Sequence, residues 1–429
     1  MSEDAPGGSL PRGGESSGAS FARELAQARP MVVAALSAHF GDLDAGEAAY
    51  AAACVALTQS GAKPESLAGW LITVGKRKGI DRLRQHGARQ RADDGAMELA
   101  QMEEDDMAND WRNVIELPEP IEDERLRLIF ICCHPALALE ARAALALKVI
   151  CGLAVPAIAE LFVTSESTMF ARITRAKAKI AGARVSFELP PRREWPERIK
   201  AVLLALELAY TSAYSDAARS RPGNEGGEKA DEDERLATIL VDLLPDEPEV
   251  LALAALVALA RSRETARLDA KGAMVPLSQQ DTQVWDKSRI ERARIWLDLA
   301  QKVEITGPYQ IMAAIQLTHA RRAFNPSVDW ASIRKLYDAL MILRPSATVA
   351  LNRALALAEI EGSEAGLREI ETLDDKLDKS RPFHVARARL LERLGRGGEA
   401  AAALKEALSR DPPTAERLYL ENWLADVEA

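Results

Sequence analysis

Cysteine is scarce: the 429 residues hold four, Cys54, Cys132, Cys133 and Cys151, with no CxxC pair among them. That usage excludes a disulfide framework. Cys132, Cys133 and His134 invite a metal reading, but adjacent cysteines chelate one tetrahedral ion poorly and no second pair matches them, so buried packing is their expected role. Aromatic and β-branched residues are sparse, and no stretch alternates with the period of two that a sheet requires. No segment is long and uncharged enough to span a bilayer. The first twenty residues, rich in Gly, Ser and Pro, lack the apolar core of a secretory signal, so a cytoplasmic location is expected. His39, His86, His134, His319 and His384 are scattered, and there is no phosphate loop, nucleophile elbow or HExxH, so neither catalysis nor a cofactor or metal is expected.

Ala, Leu, Glu and Arg dominate instead, which makes the expected fold class all-α, and the length calls for several modules. The formal net charge of −10 is unevenly spread. From residue 76 to 92 the bases Lys76, Arg77, Lys78, Arg82, Arg84, Arg89 and Arg91 face only Asp81, whereas from residue 93 to 124 a dense carboxylate run faces only Arg112. Local fields of this kind decide what a surface attracts.

Residues 153 to 180 read as a helix-turn-helix. Pro156 can open a short helix without losing a needed N–H, and Ala157, Ile158, Leu161 and Phe162 give it a small, apolar face. Val163, Thr164 and Ser165 form the turn, and Ser165 is a good N-cap for a second helix carrying Met169, Ile173, Ala176 and Ile180 at helical spacing. Its other face holds Ser167, Thr168, Arg172, Arg175, Lys177 and Lys179. In a DNA reader such a helix lies in the major groove with polar residues at base edges and bases at phosphates. The same pattern also suits a helical hairpin with a solvated basic face.

The expected organisation is a disordered tail at 1–20; a helical domain at 21–92 with helices over 22–39, 45–59 and 64–91; an acidic linker at 93–122; a compact helical module at 123–184 ending in the helix-turn-helix; and a helical extension at 190–429. Residues 220–234 look like an exposed loop. Toward the end a period of about 34 residues emerges, the length of tetratricopeptide helix pairs. His319-Ala320-Arg321, Asn352-Arg353-Ala354 and Ala386-Arg387-Ala388 occupy equivalent places in it.

These segments together resemble an extracytoplasmic-function sigma factor of the group with a large C-terminal extension carrying tetratricopeptide-like repeats. Gly69-Trp70-Leu71-Ile72-Thr73-Val74-Gly75-Lys76-Arg77-Lys78-Gly79-Ile80-Asp81-Arg82-Leu83-Arg84 is similar to the family's second sigma domain, where a basic helix captures the minus-ten promoter element. The run from Arg125 to Leu137 resembles the start of its fourth domain, and Val163 to Ile180 its minus-thirty-five reader. The resemblance implies core RNA polymerase and promoter DNA as partners, no membrane, and a regulatory contact of the repeats with the sigma domains. DNA would be met by Lys76, Arg77, Lys78, Arg82 and Arg84 in one domain. In the other it would meet Ser165, Ser167, Thr168, Arg172, Arg175, Lys177 and Lys179. Trp70 is either a core anchor, as its helical spacing to Val74 suggests, or a stacking platform for an unpaired base. The helix that grips the polymerase clamp in the family retains only Glu47 of its polarity across residues 47–55. That depletion motivates a second reading, a sigma-like DNA-binding regulator or decoy that no longer engages core polymerase productively.

Overall fold

The computed structural model describes residues 15–62, 64–94, 123–150, 152–162, 164–182, 191–219, 226–302, 306–373 and 377–429. Over them the chain is all-α, and the β structure consists of a single bridge between Leu268 and Met274. The expected tail up to residue 14 and nearly all of the acidic linker lie outside the described residues. Two compact units are present, Met1–Ala205 and Leu206–Ala429.

In the first unit α1 (Glu15–Phe40), α2 (Leu43–Ser60) and α3 (Leu67–Asp94) pack on one another. The first of these starts earlier than residue 22, so six residues of the expected tail are helical. Asp42 accepts from Ala45 N at 2.7 Å and starts α2, and Ser66 Oγ accepts from Gly69 N at 3.3 Å and starts α3. Leu36, Ala53, Leu57 and Leu71 are buried between the three helices, and Trp70 packs half-buried against them. Small residues set how closely the helices approach. A Cβ at Gly46 would lie 2.6 Å from Ser37 N and 2.7 Å from Ser37 Cα, so α2 crosses α1 on its backbone. Gly75 and Gly79, one turn apart on α3, meet Leu36 and the Phe40 ring of α1. With those glycines turned inward, Arg77 and Lys78 between them face out.

The same unit continues with α4 (Asp123–Cys132), α5 (Leu139–Val149), α6 (Val155–Leu161) and α7 (Glu166–Gly182). Cys132 and Cys133 are fully buried, and burial pushes the Cys133 thiol up to about 12. The turn from α4 to α5 is held by buried Arg142, which donates to Leu137 O at 2.7 Å and Pro135 O at 2.8 Å. Phe130 of α4 stacks on Trp195 at 5.0 Å between ring centroids.

The boundary between the units falls within α8 (Trp195–Arg219). In the second unit α9 (Gly226–Leu243) replaces most of the loop expected at 220–234. The polar residues there are helix formers, and Glu234 is drawn in by ion pairs to Arg289 at 3.1 Å and to Arg292. Next comes α10 (Pro248–Arg261), buried from Val250 to Arg261, with α9, α11 (Lys287–Ala300) and α12 (Pro308–Ala320) around it. Glu249 of α10 caps α12 from a distance, accepting from Tyr309 N and Gln310 N at 3.1 Å each. Burial raises its carboxyl above the usual range although both donors pull it down. Glu207 accepts from Tyr309 Oη at 2.7 Å and from Arg344 Nη1 at 2.9 Å.

From α12 the chain runs through α13 (Trp330–Leu343), α14 (Ala347–Glu361), α15 (Ser363–Glu371), α16 (Arg381–Arg393), α17 (Gly397–Leu408) and α18 (Thr414–Glu428). Each packs chiefly on its neighbours in sequence, as stacked helix pairs do. Ala320, Ala354, Ala386 and Ala388, the small members of the three equivalent triplets, are all buried. Among the described residues no helix is long and apolar enough to cross a membrane.

Two outcomes follow from this packing. Gly46→Ala drives a methyl into the α1 backbone and lowers the stability of the first unit by about 1–3 kcal/mol, read from urea denaturation of the full chain. His319, stacked edge-on to Trp330, is held down to about 4 by burial and by the charges of Arg263 and Arg322, against an ordinary value of 6.5. It is neutral when folded and gains a proton when unfolded, so its contribution is present above pH 6.5 and lost as pH falls toward 4. The loss reaches about 3 kcal/mol at most, and denaturation at a series of pH values shows it shrinking in His319→Phe.

Candidate nucleic-acid interface

The two basic segments are built differently. On α3 the glycine stripe fixes the helix, leaving Lys76 half-buried and Arg77, Lys78, Arg82 and Arg84 exposed. They form a cationic strip along one helix. Arg89 and Arg91 carry no described side chain.

On α7 rotation is set by Met169, Ile173, Ala176 and Ile180, all buried, with α5 and α6 packed against the helix. Ser165 caps it as its residue type suggests: its Oγ accepts from Thr168 N at 3.3 Å and lies 2.8 Å from Thr168 Oγ1 and 3.2 Å from Ser167 Oγ. Val163 of the turn lies outside the described residues. Opposite the buried stripe the helix presents Ser167, Ala171, Thr174, Arg175 and Ala178, and Phe170 leaves it nearer the Lys177 flank; all six are exposed. Of the bases named from sequence, Arg175 and Lys179 are exposed, and Arg175 Nε donates to Ala171 O at 3.1 Å.

Arg172 and Lys177 sit on the two flanks of the buried stripe and are turned back onto the protein. Arg172 lies over the Phe162 ring at 5.7 Å and pairs with Glu140 at 3.1 Å. Lys177 is only 13 % exposed, and its Nζ sits 2.7 Å from Asp44 Oδ1 and 2.6 Å from Glu47 Oε2, both on α2. Burial alone would depress this ammonium, but the two carboxylates outweigh it and hold its pKa above the usual lysine value. Glu47 also accepts from Arg29 Nη2 at 3.1 Å, while Arg29 Nη1 donates to Val149 O at 3.2 Å at the end of α5. Arg29, Glu47, Asp44 and Lys177 thus clasp the α1–α2 pair to the helix-turn-helix module. Sequence reasoning missed this clasp, since nothing local ties residue 44 to residue 177. It also missed Ala171 and Thr174, which the rotation implied by the buried stripe would have placed on the outer face, and Phe170, whose exposure at the edge of that face the stripe does not announce.

The model for "Sigma-70, region 4" matches residues 127–180, which carry all of α5 and α6 and nearly all of α7. The chain is 38 % identical over 413 residues to "Uncharacterized protein R00370" of Rhizobium meliloti (strain 1021), covering 94 % of this chain and 95 % of that one. Residues 127–180 thus carry a sigma-70 region 4, and the chain belongs to one family with that rhizobial protein. Its region 4 is followed by a segment, residues 198–301, that matches a family of unknown function, DUF6596. No solved structure matches the chain.

Removing the clasp has a measurable effect. Lys177→Ala leaves Glu47 with Arg29 alone and weakens the docking of region 4 on α2 by on the order of 1–3 kcal/mol, a range set by one well-buried pair and the more exposed Asp44. Faster amide hydrogen exchange in α2 and α7 of the full chain is the expected signature, with α14–α18 unchanged.

Proposed function

We propose that this chain is a promoter-specificity subunit. It joins core RNA polymerase, and the exposed face of α7 reads duplex promoter DNA. The strip of Lys76, Arg77, Lys78, Arg82 and Arg84 on α3 holds the backbone of a partly melted element. Neither step uses covalent catalysis. The observation that carries the reading is the capped, outward face of α7 inside the matched region 4: polar at its start, cationic at Arg175 and Lys179, and free of acids beyond Glu166. The helical extension, with its repeat-like stack of neighbours, would act in cis as a tetratricopeptide-like regulatory scaffold of the extracytoplasmic-function type, and the protein would work in the cytoplasm.

One observation favours the second reading, a sigma-like regulator or decoy. Glu47, the acid left on the helix that would grip polymerase, is already bound to Arg29 and Lys177. Run-off transcription with core polymerase on a promoter library decides between them: specific transcripts support the specificity subunit, whereas DNA binding without capture of core polymerase supports the regulator.

The structure also separates two arginines. Arg175→Ala lowers duplex affinity about tenfold and reduces the slope of log K against log salt by about 1. Arg172→Ala, whose guanidinium is committed to Glu140, changes that slope less, as fluorescence anisotropy across a salt series will show.

A further inference from the structure

The outward arc of α7 is less polar toward the Lys177 flank than phosphate binding requires. Phe170 is 63 % exposed, on a helix that buries its other large apolar residues. Beside it on the same face lie Ala171 and, one turn on, Thr174. The Thr174 hydroxyl donates to Phe170 O at 2.9 Å, so its proton is already committed and the side chain's apolar character counts for more. An aromatic ring, the Ala171 methyl and the Thr174 side chain therefore form a small apolar patch, continued by Ser167 and Ala178, with Arg175 across the exposed arc from the ring. In the major groove the one apolar feature of a base edge is the 5-methyl group of thymine. Arg175, across the exposed arc, suits a phosphate beside such a base.

Resting on the region 4 reading above, we propose that Phe170, with Ala171 and the Thr174 methyl, recognises the 5-methyl group of thymine in the duplex element bound by α7. This makes Phe170 a specificity-determining residue and Arg175 a backbone contact, a division of labour that the charges alone do not reveal. The patch adds nothing to electrostatic attraction, so its removal must leave the salt dependence intact.

The test uses the full chain bound to core RNA polymerase and a duplex enriched by that complex from a randomised pool. Each thymine of the enriched duplex is replaced in turn by deoxyuridine, which removes only the methyl. The expected result is a loss of about three- to tenfold in affinity at one or two positions, as burial of a methyl group gives. Phe170→Ala should bind the thymine duplex correspondingly weakly, no longer distinguish thymine from uracil there, and keep the wild-type salt slope. Phe170→Leu should recover part of the discrimination. Because Phe170 is exposed, neither variant should disturb folding, which circular dichroism and the unchanged capture of core polymerase verify.

Uniform tolerance of deoxyuridine by the wild type overturns the proposal, as does undiminished discrimination in Phe170→Ala. A Phe170→Ala protein that loses core polymerase but still discriminates thymine also overturns it, and assigns the patch to a protein partner. If no duplex is enriched and Arg175→Ala has no effect, the region 4 reading itself falls. Enrichment with an Arg175 effect but no methyl effect removes this inference alone.

Discussion

The burial of Met169, Ile173, Ala176 and Ile180 fixes the rotation of α7, and nearly everything said of the first unit depends on that rotation. A helix with four inward residues has one outward arc and two flanks, and each side chain's chemistry is then assigned by position. Arg175 reaches solvent. Arg172 and Lys177, equally basic in sequence, fall on the flanks, where neighbouring carboxylates capture them. Charge count alone does not describe a DNA-reading helix; the angle at which each charge leaves the axis does.

The basic strip on α3 obeys the same logic with different means. There the inward stripe includes Gly75 and Gly79, which bring α3 so close to α1 that Leu36 and Phe40 fill the space a side chain would take. Close approach rather than bulk holds the helix, so the intervening Arg77 and Lys78 are spared for solvent. Both cationic surfaces are thus by-products of how tightly the opposite faces pack.

Local patterns carried much of this in the sequence. The helical period of the apolar residues, the Ser165 cap and the paucity of β-formers were enough to anticipate an all-α chain and the helix-turn-helix. What sequence could not show is set by partners far along the chain. The loop expected at 220–234 is mostly helix because Glu234 is held by Arg289 and Arg292, more than fifty positions away. Lys177 looked like a phosphate contact until Asp44 and Glu47 stood beside it. Phe170 is not expected outside, because an exposed phenylalanine contradicts the simple inside-outside rule, and only its observed exposure makes it informative.

The long-range cap on α12 has a bearing on how the second unit responds to disturbance. Stacked helical hairpins ordinarily loosen piece by piece, since each touches only its neighbours. Here the first turn of α12 is anchored by a carboxylate sixty positions upstream, and the adjoining tyrosine hydroxyl is gripped by Glu207. Fraying at the head of the stack cannot begin without dislodging α10, and α18 is tied back as well, Met274 N donating to Ala415 O at 2.8 Å, so both ends of the stack are bolted to the segment between α10 and α11 or to α10 itself.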